Sequence, residues 1–297
     1  MHIPVLLNEV IDILGPKSDG VYFDGTLGFG GYAEAMLKKS SPHGKVIATD
    51  FDDDAIEASK ERLAEFGERF VAVKGNFSSA ADIALERNIN FDGMVLDLGV
   101  SSCQFDKAAK GFSFSKEGPL DMRMDKGSER TASDMVNNYS GRELEEIFKT
   151  YGEEKFARRI ATKIIEKRNQ KVLESTRELE EICFVAYPPN LRHGRVHPAT
   201  KVFQALRIVV NSELENLERF LKSAPHALNE GGKIVVVSYH SLEDRIVKRG
   251  FKSLGGLGGF KVLTKKPVIP TEKETEENPR ARSAKLRAIV KNGADIG

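Results

Sequence analysis

Three aspartates stand where buried strands of this chain are predicted to end, and their carboxylates are well placed to do chemistry. Asp24 follows the apolar run 21–23, Asp50 follows 45–49, and Asp97 follows 91–96. The carboxyl ends of parallel strands meet at one edge of a sheet, so we expect the three acids to converge there. An acid at the end of the second strand can accept two hydrogen bonds from a ribose diol, and we assign this role to Asp50. A solvated loop carboxylate is the alternative for Asp50.

A glycine-rich turn follows the first of these acids. The stretch from Gly25 to Gly31 contains four glycines in seven residues, and a helical pattern with Ala33, Met36 and Leu37 on one face comes next. A strand, a glycine turn and a helix N-terminus together present free backbone N–H groups to a ligand. A tight turn with no ligand fits this stretch about equally well. The stretch lacks Gly-Lys-Ser/Thr and lies among acids, which argues against a nucleoside triphosphate.

The elements that must position these residues alternate between strand and helix. This βαβαβαβ alternation runs to about residue 98 and predicts an α/β fold with a parallel sheet covered on both faces. It stops over 105–198, where helical periodicity dominates, and it resumes afterwards. We expect a sheet domain formed by 1–104 and 199–297 and a helical domain inserted at 105–198. The last two strands, near 260–263 and 285–290, are expected to pair antiparallel because no crossover helix fits between them.

Composition limits the class of protein. The 297 residues include 40% hydrophobic and 30% charged residues, so we expect a soluble globular protein. No apolar run reaches the roughly 20 residues of a membrane span, and the first residues do not resemble a signal peptide. Cys103 and Cys183 have no metal-ligand spacing and are interpreted as free thiols in a reducing cytoplasm. The net charge of +1 does not by itself indicate a nucleic-acid partner.

Nine short motifs occur along the chain in a fixed order. They are Asp24-Gly-Thr-Leu-Gly-Phe-Gly-Gly31, Asp97-Leu-Gly-Val-Ser-Ser102, Gly111-Phe-Ser-Phe114, Gly118-Pro-Leu-Asp-Met-Arg-Met-Asp125, Tyr151-Gly-Glu-Glu154, His197-Pro-Ala-Thr200, Phe203-Gln-Ala-Leu-Arg207, His240-Ser-Leu-Glu-Asp-Arg245 and Asn278-Pro-Arg-Ala-Arg282. Together they resemble the bacterial small-subunit ribosomal RNA methyltransferase H family. Its members transfer a methyl group from S-adenosylmethionine to the exocyclic amine N4 of a cytidine in the decoding region of 16S rRNA. The resemblance implies a Rossmann-like class I methyltransferase sheet with an inserted helical domain, and 16S rRNA as the partner.

The resemblance also implies the residues that contact S-adenosylmethionine. They are Gly30, Gly31, Tyr32, Asp50, Phe77, Asp97 and Gln104. Two positions depart from the family pattern, with tyrosine at 32 where histidine is usual and cysteine at 103 where proline is frequent. Backbone contacts at Tyr32 can survive this change, whereas an imidazole role cannot. Cys103 loosens a turn next to Gln104.

The reaction implied by this resemblance depends more on aligning the reactants than on activating the methyl donor. A sulfonium methyl is already activated, while the cytosine amine is a poor nucleophile that gains from a hydrogen-bond acceptor facing it. Asp97, at the start of the segment 97–102, is the candidate catalytic residue, and a role in cofactor binding alone is the alternative. His240 and Glu243 could bind the base, but capping of the next helix is favoured. No metal is expected to be required.

Aromatic and basic residues indicate where RNA could make contact. Phe112, Phe114 and Tyr239 could stack on a flipped base, although core packing is favoured for each of them. Two groups of basic residues could contact phosphates: Arg192, His193, Arg195 and Lys201, and Arg280, Arg282, Lys285 and Arg287. The near-neutral charge favours recognition of a preassembled small ribosomal subunit over naked RNA. A nicotinamide-dependent oxidoreductase and a non-catalytic RNA-binding factor are the competing classes.

Overall fold

The computed structural model describes residues 4–99 and 110–293. Its strands form one seven-stranded sheet with the order β3-β2-β1-β4-β5-β7-β6. The first five strands run parallel, and β7 pairs antiparallel with both β5 and β6. The antiparallel C-terminal pair confirms the sequence prediction. The strands are β1 Val21–Asp24, β2 Lys45–Asp50, β3 Phe70–Lys74, β4 Phe91–Asp97, β5 Leu228–Ser238, β6 Phe260–Val262 and β7 Lys285–Lys291.

Helices connect these strands and also make up most of the segment between β4 and β5. Several begin with an N-terminal cap that can be recognised in the sequence, such as Ser175 with Glu178. The helices are α1 Leu7–Leu14, α2 Gly31–Lys39, α3 Asp53–Arg62, α4 Ala80–Arg87, α5 Ala132–Asn138, α6 Gly141–Gly152, α7 Ala157–Arg168, α8 Thr176–Ala186, α9 Thr200–Val210, α10 Glu213–Ser223, α11 Ser241–Gly256 and α12 Glu272–Glu277. Among the residues described, no helix is both long and apolar enough to cross a lipid bilayer.

The chain divides into two compact units. One consists of Met1–Gly99 with Leu214–Gly297, and the other of Val100–Glu213. The second unit therefore extends beyond residue 198, where the sequence prediction ended the insertion. Helix α9 explains the difference, because its apolar side chains Val202, Phe203 and Leu206 belong to the core of the helical unit. A helix periodicity alone does not show which of two cores the helix joins.

The sheet unit has an apolar core on each face of its sheet. On one face, Val10 of α1 and Met36 of α2 pack in the same core as Val95 and Val235 of the strands. On the other face, the core combines side chains of α4, α10 and α11 with Met94 and Val236. Each central strand is consequently buried on both sides, which accounts for its nearly continuous apolar sequence. The prediction of a sheet covered on both faces is confirmed.

The helical unit has a separate core in which two of the suggested base-stacking residues are packed. Phe112 is buried, and Phe114 stacks on His197 with ring centroids 4.6 Å apart. Phe114 also meets the edge of Phe203 at 5.3 Å. Core packing, which the sequence favoured for both phenylalanines, is confirmed.

Candidate active site

The three acids named from the sequence lie at one edge of the sheet. Strand β1 is hydrogen-bonded to β2 on one side and to β4 on the other, with Asp24 opposite Ala48 and opposite Val95. This places the carboxyl ends that carry Asp24, Asp50 and Asp97 next to one another. The negative charge of Asp24 raises the pKa of Asp97, and that of Asp50 raises the pKa of Asp24. The convergence expected from the strand pattern is present.

Asp24 is the innermost of the three acids. Its side chain is fully buried, and its Oδ1 accepts a hydrogen bond of 3.1 Å from the backbone N–H of Thr26. Its Oδ2 has no hydrogen-bond partner among the described residues. Burial raises the pKa of Asp24 to about 7, against the lowering effect of the Thr26 N–H. A buried, incompletely paired carboxyl group of this kind is expected at a functional site more often than in an ordinary core.

Asp50 ties the glycine-rich turn to the end of β2. Its Oδ2 accepts a hydrogen bond of 2.8 Å from the N–H of Gly28, and its Oδ1 accepts one of 2.9 Å from Asp52. Asp52 in turn caps helix α3 by accepting a hydrogen bond from the backbone N–H of Asp54. Asp50 remains partly exposed at the rim. Each carboxylate oxygen can accept a second hydrogen bond, so Asp50 can hold the turn and still bind a diol.

Asp97 is fixed by two groups from other strands or turns. Its Oδ1 accepts a hydrogen bond of 2.6 Å from the hydroxyl of Tyr239, and its backbone N–H donates to Oγ1 of Thr26 at 2.7 Å. Burial raises the pKa of Asp97 to about 7, with the Tyr239 hydrogen bond lowering it and the charges of Asp24 and Glu243 raising it further. A pKa of about 7 means that the Asp97 carboxyl group changes protonation near neutral pH. Sequence reasoning considered Tyr239 only for stacking and did not find this partnership.

The glycine turn passes close to side chains of neighbouring segments. A Cβ on Gly25 would lie 2.2 Å from Cδ2 of Leu96 and 2.6 Å from Cβ of Phe77. A Cβ on Gly31 would lie 2.4 Å from Cγ of Pro4. Gly30 precedes helix α2 with φ 76°, in the left-handed region that favours glycine. Glycine is therefore required at these positions by the approach of neighbours and by the turn itself.

Phe77 and Tyr32 both lie next to this turn, Phe77 beside Gly25 and Tyr32 directly after Gly31. Phe77 begins a short 3₁₀ helix after β3, and its ring meets the edge of Phe220 at 5.9 Å. Tyr32 lies in the first turn of α2 and is buried, with its hydroxyl donating to the carbonyl of Val5. The Tyr32 side chain thus anchors the segment before α1. The backbone N–H of Tyr32, in the first turn of α2, is left for a ligand. Gln104 and Cys103 lie outside the described residues.

His240 and Glu243 cap helix α11. The Glu243 N–H lies 3.4 Å from Nδ1 of His240, while Oε2 of Glu243 accepts hydrogen bonds from the backbone N–H groups of Tyr239 and His240. This reciprocal arrangement is a capping box, with histidine in the position that serine or threonine usually takes. The capping interpretation is confirmed, and it also fixes the backbone that carries Tyr239.

Several of the basic residues suggested for phosphate binding already have protein partners. Nε of Arg192 donates to the carbonyl of Tyr187, and Nζ of Lys201 donates to the carbonyl of Glu153. Lys285 and Arg287 both pair with one carboxylate, that of Asp244. These four side chains have protein partners, and phosphate contact by the two basic groups stays a prediction. A count of basic residues in the sequence cannot show which of them are neutralised by neighbours.

The strand order and the inserted helical unit, with the acids and the glycine turn at the carboxyl edge, define the class of protein as a Rossmann-like class I methyltransferase. A model of the MraW methylase family matches residues 1–292, and the chain belongs to this family. The ribosomal RNA small subunit methyltransferase H of Syntrophobacter fumaroxidans is 44% identical, covering 98% of this chain and 97% of its own. The protein of the same name from Trichormus variabilis is 48% identical, covering 100% and 93%. A solved S-adenosylmethionine-dependent O-methyltransferase from Thermotoga maritima aligns with 10% identity and a TM-score of 0.46, covering 100% of this chain and 69% of that one.

Proposed function

We propose that this protein transfers a methyl group from S-adenosylmethionine to N4 of a cytidine in the decoding region of 16S rRNA, within the small ribosomal subunit. The observation that carries the proposal is the convergence of Asp24, Asp50 and Asp97 beside the glycine turn. Relatives that match almost the whole chain are named as small-subunit ribosomal RNA methyltransferases, which supports the choice of substrate. A cytoplasmic location follows from this substrate and stays a prediction.

The residues present fit S-adenosylmethionine. The turn has open space at Gly28, where only the carbonyl oxygen of Thr26, at 3.9 Å, lies within 4 Å of an added Cβ, and the buried Oδ2 of Asp24 has no partner among the described residues. Asp50 offers carboxylate oxygens for the ribose, and Phe77 offers a ring beside the turn for the adenine. Gly31 and Tyr32 offer backbone N–H groups at the start of α2, where a carboxylate is favoured by the helix dipole. The N–H of Gly30 donates to the carbonyl of Leu27 at 2.7 Å, so Gly30 stays in the proposed set through its place in the turn. Gln104 completes the proposed set on the basis of the family resemblance. When bound, the cofactor supplies a methyl group already activated as a sulfonium.

Asp97 is the proposed acceptor for the target amine. The lone pair of a cytosine amine is delocalised into the ring, so a hydrogen bond from the amine to a carboxylate makes the nitrogen a better nucleophile. The amine loses one proton on methylation, and the second carboxylate oxygen of Asp97, Oδ2, is suited to accept it. A pKa of about 7 matches this task near neutral pH, because the carboxylate is largely available and still basic enough. Tyr239 holds Oδ1 and thereby fixes the orientation of the carboxylate.

Mass spectrometry of ribosomal RNA tests the proposal. Small ribosomal subunits lacking the modification are incubated with the protein and isotopically labelled S-adenosylmethionine, and nuclease fragments are analysed for the labelled methyl. We expect one labelled cytidine in the decoding region, and loss of the label with Asp97→Ala but not with the exposed control Asp53→Ala. No label in any RNA would contradict the enzymatic function, and equal labelling of protein-free 16S rRNA would contradict the preference for assembled subunits.

The same protein and the Asp97→Ala variant also distinguish a methyltransferase from the two competing classes, an oxidoreductase and a non-catalytic RNA-binding factor. The melting temperature of the protein should rise with S-adenosylmethionine and not with NAD, since only a ligand that binds the folded state stabilises it. A rise with NAD alone would favour the oxidoreductase. A variant Asp97→Ala that still binds subunits but transfers no methyl would exclude a purely non-catalytic RNA-binding role.

A further inference from the structure

The sheet unit contains a second concave site, which we call the α11–β6 cleft. It has a volume of about 600 Å³ and is bordered by helix α11, strand β6 and the residues that follow β6. This volume lies in the range of sites that bind nucleotide-sized ligands. Apolar atoms of Phe251, Phe260 and Val262 form part of its wall.

The rim of the cleft carries an excess of positive charge. Four lysines line it, and each is exposed. None of the four forms an ion pair with a described residue, whereas Arg287 at the base of the cleft is paired with Asp244 at 2.6 Å. No carboxylate is among the described residues that line the cleft. Unpaired ammonium groups above an apolar wall favour a ligand that is both anionic and flat. The lysines are Lys248, Lys252, Lys261 and Lys265.

We infer that the α11–β6 cleft binds the RNA strand beside the target cytidine, with phosphates on its lysines and a base against Phe260 and Val262. Single-stranded RNA combines phosphates with flat, apolar base faces, which is the chemistry that the rim and the wall of the cleft offer together. The inference rests on the proposed function, because it takes the RNA substrate from there. It adds a subsite that recognises the substrate and leaves the methyl transfer itself to the carboxylate edge.

Helix α11 provides the spatial link between the two sites. His240 caps the helix directly after Tyr239, which donates to Asp97. At about 1.5 Å per residue, Lys248 and Lys252 lie roughly 12 and 18 Å from His240 along the helix axis. A few nucleotides of extended strand cover such a distance, so an RNA whose target base is at Asp97 can reach the cleft.

The test compares two double variants with the same change of charge. Lys252→Ala/Lys261→Ala removes two cleft lysines, and Lys39→Ala/Lys222→Ala removes two exposed lysines that form no ion pair with a described residue elsewhere in the sheet unit. Methyl transfer to small ribosomal subunits gives kcat and KM. Fluorescence anisotropy with a labelled single-stranded fragment of 16S rRNA gives the dissociation constant over a range of salt concentrations.

We expect the cleft variant to raise KM for subunits several-fold with kcat unchanged. Its plot of log affinity against log salt should be shallower by about 1.4, because each phosphate contact on a single strand contributes about 0.7. The control variant should match the wild type in both. The inference would be overturned if the cleft variant had the same KM and the same salt slope as the control variant. It would also be overturned if polyglutamate displaced the labelled RNA fragment more strongly than unlabelled RNA does. Absence of methyl transfer by the wild type would instead overturn the proposed function, while the anisotropy slopes would still decide whether the cleft binds RNA.

Discussion

The hydroxyl of Tyr239 donates a hydrogen bond of 2.6 Å to Oδ1 of Asp97 and thereby joins the end of β5 to the end of β4. The bond favours the ionised form of Asp97, in opposition to burial and to the nearby charge of Asp24. The protonation of the proposed acceptor therefore depends on a residue that lies 142 positions away in the chain.

Removal of this hydroxyl should shift the pH dependence of methyl transfer. If Asp97 must be ionised, the rate of the wild type rises with pH to a plateau, with a midpoint near pH 7. Tyr239→Phe removes a hydrogen bond that lowers the pKa of Asp97, so the midpoint should move to higher pH while KM for S-adenosylmethionine changes little. Tyr32→Phe is the matched control, because that hydroxyl binds the carbonyl of Val5. An unchanged midpoint in Tyr239→Phe would show that the bond has no role in the protonation of Asp97.

The buried Asp24 should make stability depend on pH. Its pKa is raised from 3.8 to about 7 by folding, so the stabilisation is complete below pH 4 and is lost as the pH rises through 7. At about 1.4 kcal/mol per pKa unit, the upper limit of this loss is about 4 kcal/mol. Asp24→Asn should therefore become more stable relative to the wild type between pH 5 and pH 8. Urea titrations at both pH values measure this difference, and Asp53→Asn controls for net charge; an equal difference at both pH values would contradict the raised pKa.

A methyl group added at the glycine turn should reduce cofactor binding. In Gly31→Ala the new Cβ would lie 2.4 Å from Cγ of Pro4, so the turn or the segment before α1 must move. We expect a melting temperature lower by several degrees and an affinity for S-adenosylmethionine lower by at least tenfold. The control is Gly256→Ala, where no heavy atom lies within 4 Å and helix propensity favours alanine. Wild-type affinity in Gly31→Ala would show that the cofactor does not depend on this turn.

Removal of metal ions should leave the reaction intact. The sulfonium donor needs no Lewis acid, and the acids at the sheet edge are assigned to hydrogen bonds with the cofactor and the amine. Protein dialysed against EDTA should thus transfer labelled methyl groups at the untreated rate. The ribosomal subunits need magnesium for their own integrity, so the protein is treated with EDTA, freed of the chelator and then assayed on subunits in buffer that contains magnesium alone. A loss of activity that zinc or manganese restores would contradict this expectation.

Much of the site could be predicted from the sequence, because it depends on local patterns. A buried strand that ends in an acid is visible as an apolar run followed by aspartate, and parallel strands bring such ends together. The capping of α3 by Asp52 and of α11 by His240 follows from short spacings of the same kind. The cluster of glycines between 25 and 31 suggests a close turn. The sequence does not show which neighbouring atoms exclude a Cβ at Gly25 and Gly31.

The remaining features depend on contacts between distant parts of the chain. The partnership of Tyr239 with Asp97 and the pairing of Arg287 with Asp244 join side chains that no spacing relates. The membership of α9 in the helical unit is also decided by packing and not by its own periodicity. The role of Gln104 stays a prediction, since that residue lies outside the described part of the chain.

Calorimetric titration of S-adenosylmethionine tests most directly whether the acidic edge of the sheet is the cofactor site. The wild type is compared with Asp50→Asn and with Asp53→Asn, which changes an exposed acid in the first turn of α3. Loss of charge-assisted hydrogen bonds to the ribose costs about 1.5–3 kcal/mol, so we expect Asp50→Asn to bind about 10 to 100 times more weakly and Asp53→Asn to bind as the wild type does. Equal affinities of all three proteins, or no binding by the wild type, would contradict the account.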